Sequence, residues 1–229
     1  MKKLKFVFLD TIPVLTGYIC LGIGFGILLS QQAGHGVAWS ALMGIFLYAG
    51  SCQYMLVDML AQGASVLSVA LATLLLNARH IFYGISLVDN YAGSGTKKWY
   101  LIFGLTDETY SLVTQKSPPD GMSYHTYCFW VTLLDHLYWI TGCVLGSLVG
   151  HLLPISFEGV EFVLTALFVT LLVEQLLSQK RPLPALIGLA ATAVCLLIFG
   201  SKVFLIPAMV LIAISLAVML RIERRLQHA

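Results

Sequence analysis

What this 229-residue chain has least of is charge: Asp, Glu, Lys and Arg make up 10% of it, against 59% apolar residues. Globular domains in water carry about a quarter charged residues. The chain therefore has too few polar side chains to coat a water-exposed surface, and its mean hydropathy of +0.88 agrees. Its formal net charge is only +2, the small positive excess that positive-inside loops produce by themselves, and so apolar a composition excludes a nucleic-acid binder. The five cysteines, Cys20, Cys52, Cys128, Cys143 and Cys195, all stand in apolar runs without CxxC spacing. That excludes a disulfide framework or a zinc site. No GxxxxGK[ST] is present to bind a nucleotide, and no GxGD, HExxH or GxSxG to mark a hydrolase. No cofactor is implied.

What the chain does have is a succession of apolar runs near 11–30, 37–61, 65–88, 99–113, 127–153, 160–178, 183–200 and 203–220, joined by short links. About 20 apolar residues cross a bilayer, so the expected fold is all-α. It is a polytopic helical membrane protein with about seven or eight apolar segments, forming one transmembrane domain over residues 1–229 with no soluble domain. The basic start (Lys2, Lys3, Lys5) precedes an apolar stretch without a small-x-small cleavage site, and Asp10 and Pro13 interrupt the run. It reads as an uncleaved first segment with a cytoplasmic N-terminus.

Two segments are irregular. Gly17, Gly22, Gly24 and Gly26 follow Pro13 in the first. That spacing weakens a continuous helix, and the LGIGFG stretch is a candidate source of free backbone N–H groups, as in broken transporter helices. The fourth, WYLIFGLTDETYSLV, is short and carries Asp107 and Glu108 near its middle. Polar backbone at membrane depth survives only where protein or water surrounds it, so at least one helix is expected to be discontinuous or half-spanning. Charge parity bears on the same point. If every segment crosses, Lys97 and Lys98 fall outside, against the positive-inside rule. Making segment four and one of the first three re-entrant brings every basic cluster inside; the sequence leaves both arrangements open.

Ionisable residues in a membrane cost about 2.5–3.5 kcal/mol each on insertion scales, so their positions carry information. On a helical wheel Gly44, Tyr48, Ser51, Met55 and Asp58 share one face of segment two. Thr73, Asn77, His80 and Gly84 share an arc of segment three, beside Arg79 and Tyr83. Cys128, Thr132, Asp135, Trp139, Gly142 and Gly146 form one stripe in segment five. Glu174 lies near the end of segment six. The bland readings are that Arg79 pairs with a carboxylate to lock the bundle, that glycine faces are packing faces, and that Trp39 and Trp99 belong to interfacial belts. Asp10, Asp89, Asp120, Glu158 and Glu161 read as solvated charges. The functional reading is a shared polar interior with one Arg, one or two His and at least three carboxylates. Such sparse charge suits a small zwitterion plus a proton, with Met55, Phe82, Phe103 and Trp139 as apolar walls.

The stretches LYAGSCQYMLVDMLAQGAS, LATLLLNARHIFYGISL and FGLTDETYSLV resemble, in that order, the AzlC-like family, the large subunit of bacterial branched-chain amino-acid exporters. The resemblance covers about residues 10–115 strongly and the C-terminal half by hydropathy and length. It implies a permease in the bacterial inner (cytoplasmic) membrane that exports leucine, isoleucine, valine or similar amino acids. It also implies a small AzlD-like membrane subunit of about four spans as partner. Tyr48, Gln53, Asn77, Arg79, His80, Asp107 and Glu108 stand inside the matched blocks. With Asp58, just after the first block, and Asp135 they form the candidate set for substrate binding or proton coupling. In this reading Arg79 holds the substrate carboxylate and Asp107 and Glu108 hold the ammonium or exchange protons. Two other readings stay open: a non-transporting membrane scaffold subunit, and an intramembrane aspartyl hydrolase using Asp58 with Asp107 or Asp135.

Overall fold

Every element among the described residues is helical. The computed structural model describes residues 2–77, 79–152, 182–200 and 204–227, with single positions at 169, 173, 176 and 177. Segment six is otherwise outside that set, and so are Glu158, Glu161, Glu174 and the side chains of Arg79 and Phe82. The chain divides into two units, Met1–Leu164 and Thr165–Ala229.

The first unit is organised by two long helices, α1 (Lys2–Gln32) and α8 (Tyr124–Leu152). Both are long and apolar enough to cross a membrane. Their contact follows from glycine. A Cβ placed on Gly22 would meet the Cα of Gly142 at 2.8 Å, one on Gly142 the carbonyl oxygen of Tyr18 at 2.7 Å, and one on Gly146 the Cα of Ile23 at 2.6 Å. With no side chain in the way the two backbones touch, as small-residue repeats allow in membranes. Of the glycines expected to break the first segment, Gly22 and Gly26 are therefore buried in a helix seam, and α1 runs unbroken past Pro13. The LGIGFG stretch offers no free N–H groups, because each is spent inside that helix.

Contacts also fix direction. Tyr18 and Gly22 face Gly142, Ile23 faces Gly146, and Ile27 faces Gly150, so the numbers rise together and α1 and α8 run parallel. The 91 residues between them must then return the chain to the end it started from. They do so through three elements: α2 (Val37–Phe46) with α3 (Gly50–Ala61), α4 (Val66–Asn77) with α5 (Arg79–Leu87), and α6 (Lys97–Phe103) with α7 (Asp107–Gln115).

The first of these is a hairpin. Gly36 lies near His151, Ser40 donates to the carbonyl of Cys143 (2.8 Å), and Tyr48 stacks on His136. So α2 descends α8 to its middle. After the turn, Gly50 packs on Trp139 and Tyr54 donates to the carbonyl of Leu21 (2.6 Å), so α3 climbs back along α1. The helix-wheel face that joined Gly44, Tyr48, Ser51, Met55 and Asp58 is corrected here, because the chain reverses at residues 47–49. Next, α4 pairs with α3 through Cys52 and Thr73 (3.7 Å), and α5 ends where Tyr83 and Ser86 meet Tyr110. This element runs the length of the unit.

The third element is again a hairpin, from the opposite end. Lys97 lies over the ring of Phe129, Phe103 reaches His136, and Gly104 meets Thr132. Returning, Thr109 donates to Asp135, Tyr124 to the carbonyl of Val113, and Lys116 pairs with Asp10 at 2.8 Å. Asp10, expected to be solvated, instead ties α1 to the turn after α7 and also accepts from the hydroxyl of Tyr127 (3.0 Å). Lys3 donates to Gly121 (2.6 Å) and His125 bonds the carbonyl of Asn90. Thus Lys3, Lys5, Lys97, Lys98 and Lys116 gather at one end of the unit. The connections at the other end, 33–36 and 62–65, contain no Lys or Arg.

In the second unit α9 (Leu183–Phe199) and α10 (Leu205–Gln227) pack on each other across a link that begins at Gly200, whose φ is +70°. Pro182 and Pro184 bracket the start of α9, where their missing N–H groups cost nothing.

Candidate functional site

The tips of the two hairpins meet halfway along α1 and α8, and the chemistry-bearing side chains gather there. The tip between α2 and α3 is Leu47-Tyr48-Ala49. Tyr48 has φ +40°, among the described residues the one non-glycine in the left-handed region. Such strain costs on the order of 1–3 kcal/mol and persists where packing holds it. Here the ring of Tyr48 lies 4.3 Å from that of His136 and 6.4 Å from those of Tyr18 and Phe103. The other tip is Gly104-Leu105-Thr106. Gly104 ends α6 where its missing side chain admits Thr132. Thr106 starts α7 by accepting the N–H of Thr109 on its hydroxyl, and Asp107 and Glu108 fill the first turn, where the helix dipole favours acids.

Tyr18 of α1 joins the parts. Its hydroxyl donates to the Glu108 carboxylate (2.8 Å) and lies 2.7 Å from the hydroxyl of Thr106. Thr106 donates to Thr109 (3.1 Å), and Thr109 donates to the Asp135 carboxylate (2.8 Å). Two carboxylates are thus linked through three hydroxyls, all shielded from solvent. Asp135 and Thr109 are 0% exposed, and Asp135 keeps a second carboxylate oxygen without a hydrogen-bond partner among the described residues. A half-satisfied buried acid is costly unless a proton or ligand completes it.

On the other side of Tyr18 lies Trp139, with ring centroids 5.4 Å apart. The indole N–H donates to Oε1 of Gln53 (2.8 Å), and the N–H of Ala49 reaches the same oxygen (3.3 Å). Gln53 is fully buried, and its Nε2 has no hydrogen-bond partner among the described residues. His136 holds the ceiling. Its Nε2 bonds the carbonyl of Gly44 (3.2 Å), so that nitrogen carries the proton, and Nδ1 accepts from Tyr100 (3.0 Å).

Of the candidate residues, the structure brings Tyr48, Gln53, Asp107, Glu108 and Asp135 to this meeting point. Asp58 lies exposed two turns up α3, away from the tip. Asn77 is the last residue of α4 and His80 lies in the first turn of α5, and His80 Nδ1 bonds the carbonyl of Asn77 (3.2 Å). His80 packs edge-on against Tyr83, which stacks on Tyr110 of α7. For Arg79 only the backbone is described, so its expected pairing lies outside the described residues. Sequence reasoning missed Tyr18, Thr106, Thr109 and His136. Thr106 carried a readable signal, a threonine before two acids at a helix start; Tyr18 carried none, since its role exists only after α1 is docked on α7. The segment-five stripe of Cys128, Thr132, Asp135, Trp139, Gly142 and Gly146 is buried along its whole length.

Comparison with known proteins adds an independent line. The family model described as AzlC protein matches residues 13–153, which reach from α1 to the end of α8. The branched-chain amino acid transport protein AzlC of Bacillus subtilis is 38% identical over 88% of this chain and 79% of its own length. An uncharacterized membrane protein of Haemophilus influenzae is 39% identical over 96% of this chain and 89% of its own. The inner membrane protein YgaZ of Escherichia coli is 29% identical over 90% of this chain and 84% of its own. No solved structure matches.

Proposed function

The chain belongs to the AzlC family, and we propose that it is the large membrane subunit of a secondary transporter exporting branched-chain or similar small apolar amino acids. A transport role is the coarser statement, supported by the family and by the name of the Bacillus relative. The observation that carries the finer reading is the buried connection of Glu108 and Asp135 through Tyr18, Thr106 and Thr109. Two acids sharing hydroxyl contacts at the deepest point of the unit form a place where a proton is held and passed. Proton coupling needs such a group, and a merely structural acid in hydrocarbon would be replaced cheaply by an apolar residue.

The lysine distribution supports an orientation in the bacterial inner membrane. With the lysine-bearing end in the cytoplasm, α1, α4–α5 and α8 cross, while α2–α3 enters from outside and α6–α7 from inside. Half-helices that meet at the midplane are the arrangement in which transporters bind solutes. The apolar walls that go with this reading are Tyr48, Phe103 and Trp139, which suit an aliphatic side chain. A small AzlD-like subunit is the proposed partner, and Arg79, Asn77 and His80 remain proposed members of the pathway.

Leucine and valine efflux from cells loaded with dipeptides tests the reading. The wild-type chain, co-expressed with the small subunit, lowers internal leucine. Glu108→Gln and Asp135→Asn each cut efflux at least tenfold at equal expression. If these two and Asp107→Asn and Arg79→Ala all leave efflux unchanged, the site assignment is wrong.

A further inference from the structure

The two inner helix starts are built differently, and the difference gives the site a direction. α7 begins with a capped, acidic turn: Thr106 closes it and Asp107 and Glu108 neutralise the positive helix end. α3 begins with Ala49, whose side chain makes no cap, followed by Gly50, and it has no acid in its first turn. The N–H of Gln53 bonds the carbonyl of Ala49 (2.8 Å). The N–H groups of Gly50 and Cys52, in the turn before it, have no carbonyl inside the helix to bond and point out of its end. A bare helix start is not a site by itself. Here a second group stands at it: the amide of Gln53 is held over the start of α3 by the Ala49 N–H and the Trp139 indole, both bound to Oε1. This leaves Nε2, a fully buried donor without a partner among the described residues, beside the same helix end. Burying an unmet donor costs about 1–3 kcal/mol, and an anion is the ligand that satisfies the donor and the helix dipole together.

Resting on the transport reading, we infer that the substrate carboxylate binds at the start of α3 on Gln53 Nε2 and the N–H groups of Gly50 and Cys52, and its ammonium binds the acidic start of α7. The amino acid thus lies across the Tyr18–Trp139 ring pair with one charged group toward each hairpin. This assigns carboxylate recognition to Gln53 and the α3 start, in place of Arg79 and the LGIGFG backbone.

Two variants test it on purified, reconstituted protein with its small subunit. Ala49→Asp supplies an internal carboxylate that caps α3, a change that favours the helix. Gln53→Glu keeps an oxygen for Ala49 and Trp139 but replaces the free donor with negative charge. Leucine, 4-methylpentanoate (carboxylate alone) and isopentylamine (ammonium alone) serve as probes in a thermal-shift or displacement assay. Both variants are expected to weaken leucine and 4-methylpentanoate at least tenfold and leave isopentylamine within twofold of wild type. The inference is overturned if either variant, monodisperse and with at least the wild-type Tm, binds 4-methylpentanoate as the wild type does. It is also overturned if leucine and isopentylamine are lost in equal proportion. Wild-type protein that binds no apolar amino acid at all instead sinks the transport reading, and this inference with it.

Discussion

Replacing Gly146 by alanine adds one methyl group where there is no room. The new Cβ would sit 2.6 Å from the Cα of Ile23, whereas carbon atoms in contact prefer about 3.5–4.0 Å. Because the obstacle is helix backbone, no side chain can swing aside, and α1 must withdraw from α8 by about 1 Å. Overpacking of this kind costs about 1–3 kcal/mol, and a rigid helix pair belongs at the upper end. At about 2–4 °C per kcal/mol for a chain of this size, Tm falls by about 6–12 °C. Gly17 is the internal control: it lies in the same helix, with nothing within 4 Å of an added Cβ. Gly17→Ala should hold Tm or raise it, since alanine is favoured over glycine in helices by about 1 kcal/mol. The assay is fluorescence-detected size exclusion of detergent-solubilised protein after heating. Equal Tm values for Gly146→Ala and wild type would refute the parallel glycine seam and the site depth derived from it.

Other expectations are equally concrete. In a variant lacking the five cysteines, Lys98→Cys and Lys116→Cys should react with an impermeant maleimide from the cytoplasmic side and Gly63→Cys from the periplasmic side; periplasmic labelling of Lys98→Cys would refute the hairpin from the inner face. Thr106→Val removes the cap of α7 and its contact with Tyr18, so a loss of about 1 kcal/mol in stability should accompany a larger loss of efflux, and efflux at the wild-type rate would count against the hydroxyl connection. Lys116→Met breaks the pair with Asp10, whose lysine side chain is 41% exposed; screened pairs of this type contribute about 0–1 kcal/mol, so Tm should fall by no more than a few degrees in thermal unfolding.

Composition settled the all-helical membrane character, because no arrangement in water hides so much apolar surface behind so few charges. Local chemistry also marked Asp107 and Glu108 as out of place in segment four, and the break at Gly104–Thr106 stands beside them. The buried stripe on α8 was legible for the same kind of reason: a helix repeats its face every three to four residues, so spacing alone lines up Asp135 with Trp139 and Gly142. Other features depend on which helix lies against which. Gly22 and Gly26 look like helix breakers in one dimension and become contact points only when α8 supplies Gly142 and Gly146. Segment two has an unbroken apolar pattern, yet it reverses at Tyr48 because His136, Tyr18 and Phe103 hold that residue in a backbone region its own side chain disfavours. Tyr18 reaches both Thr106 and Glu108 across 88 and 90 residues of sequence, and Gln53 meets Trp139 across a similar span. Periodicity describes one helix at a time, whereas these hydrogen bonds arise between helices, so only the folded chain brings the two carboxylates and the unmet amide to one place.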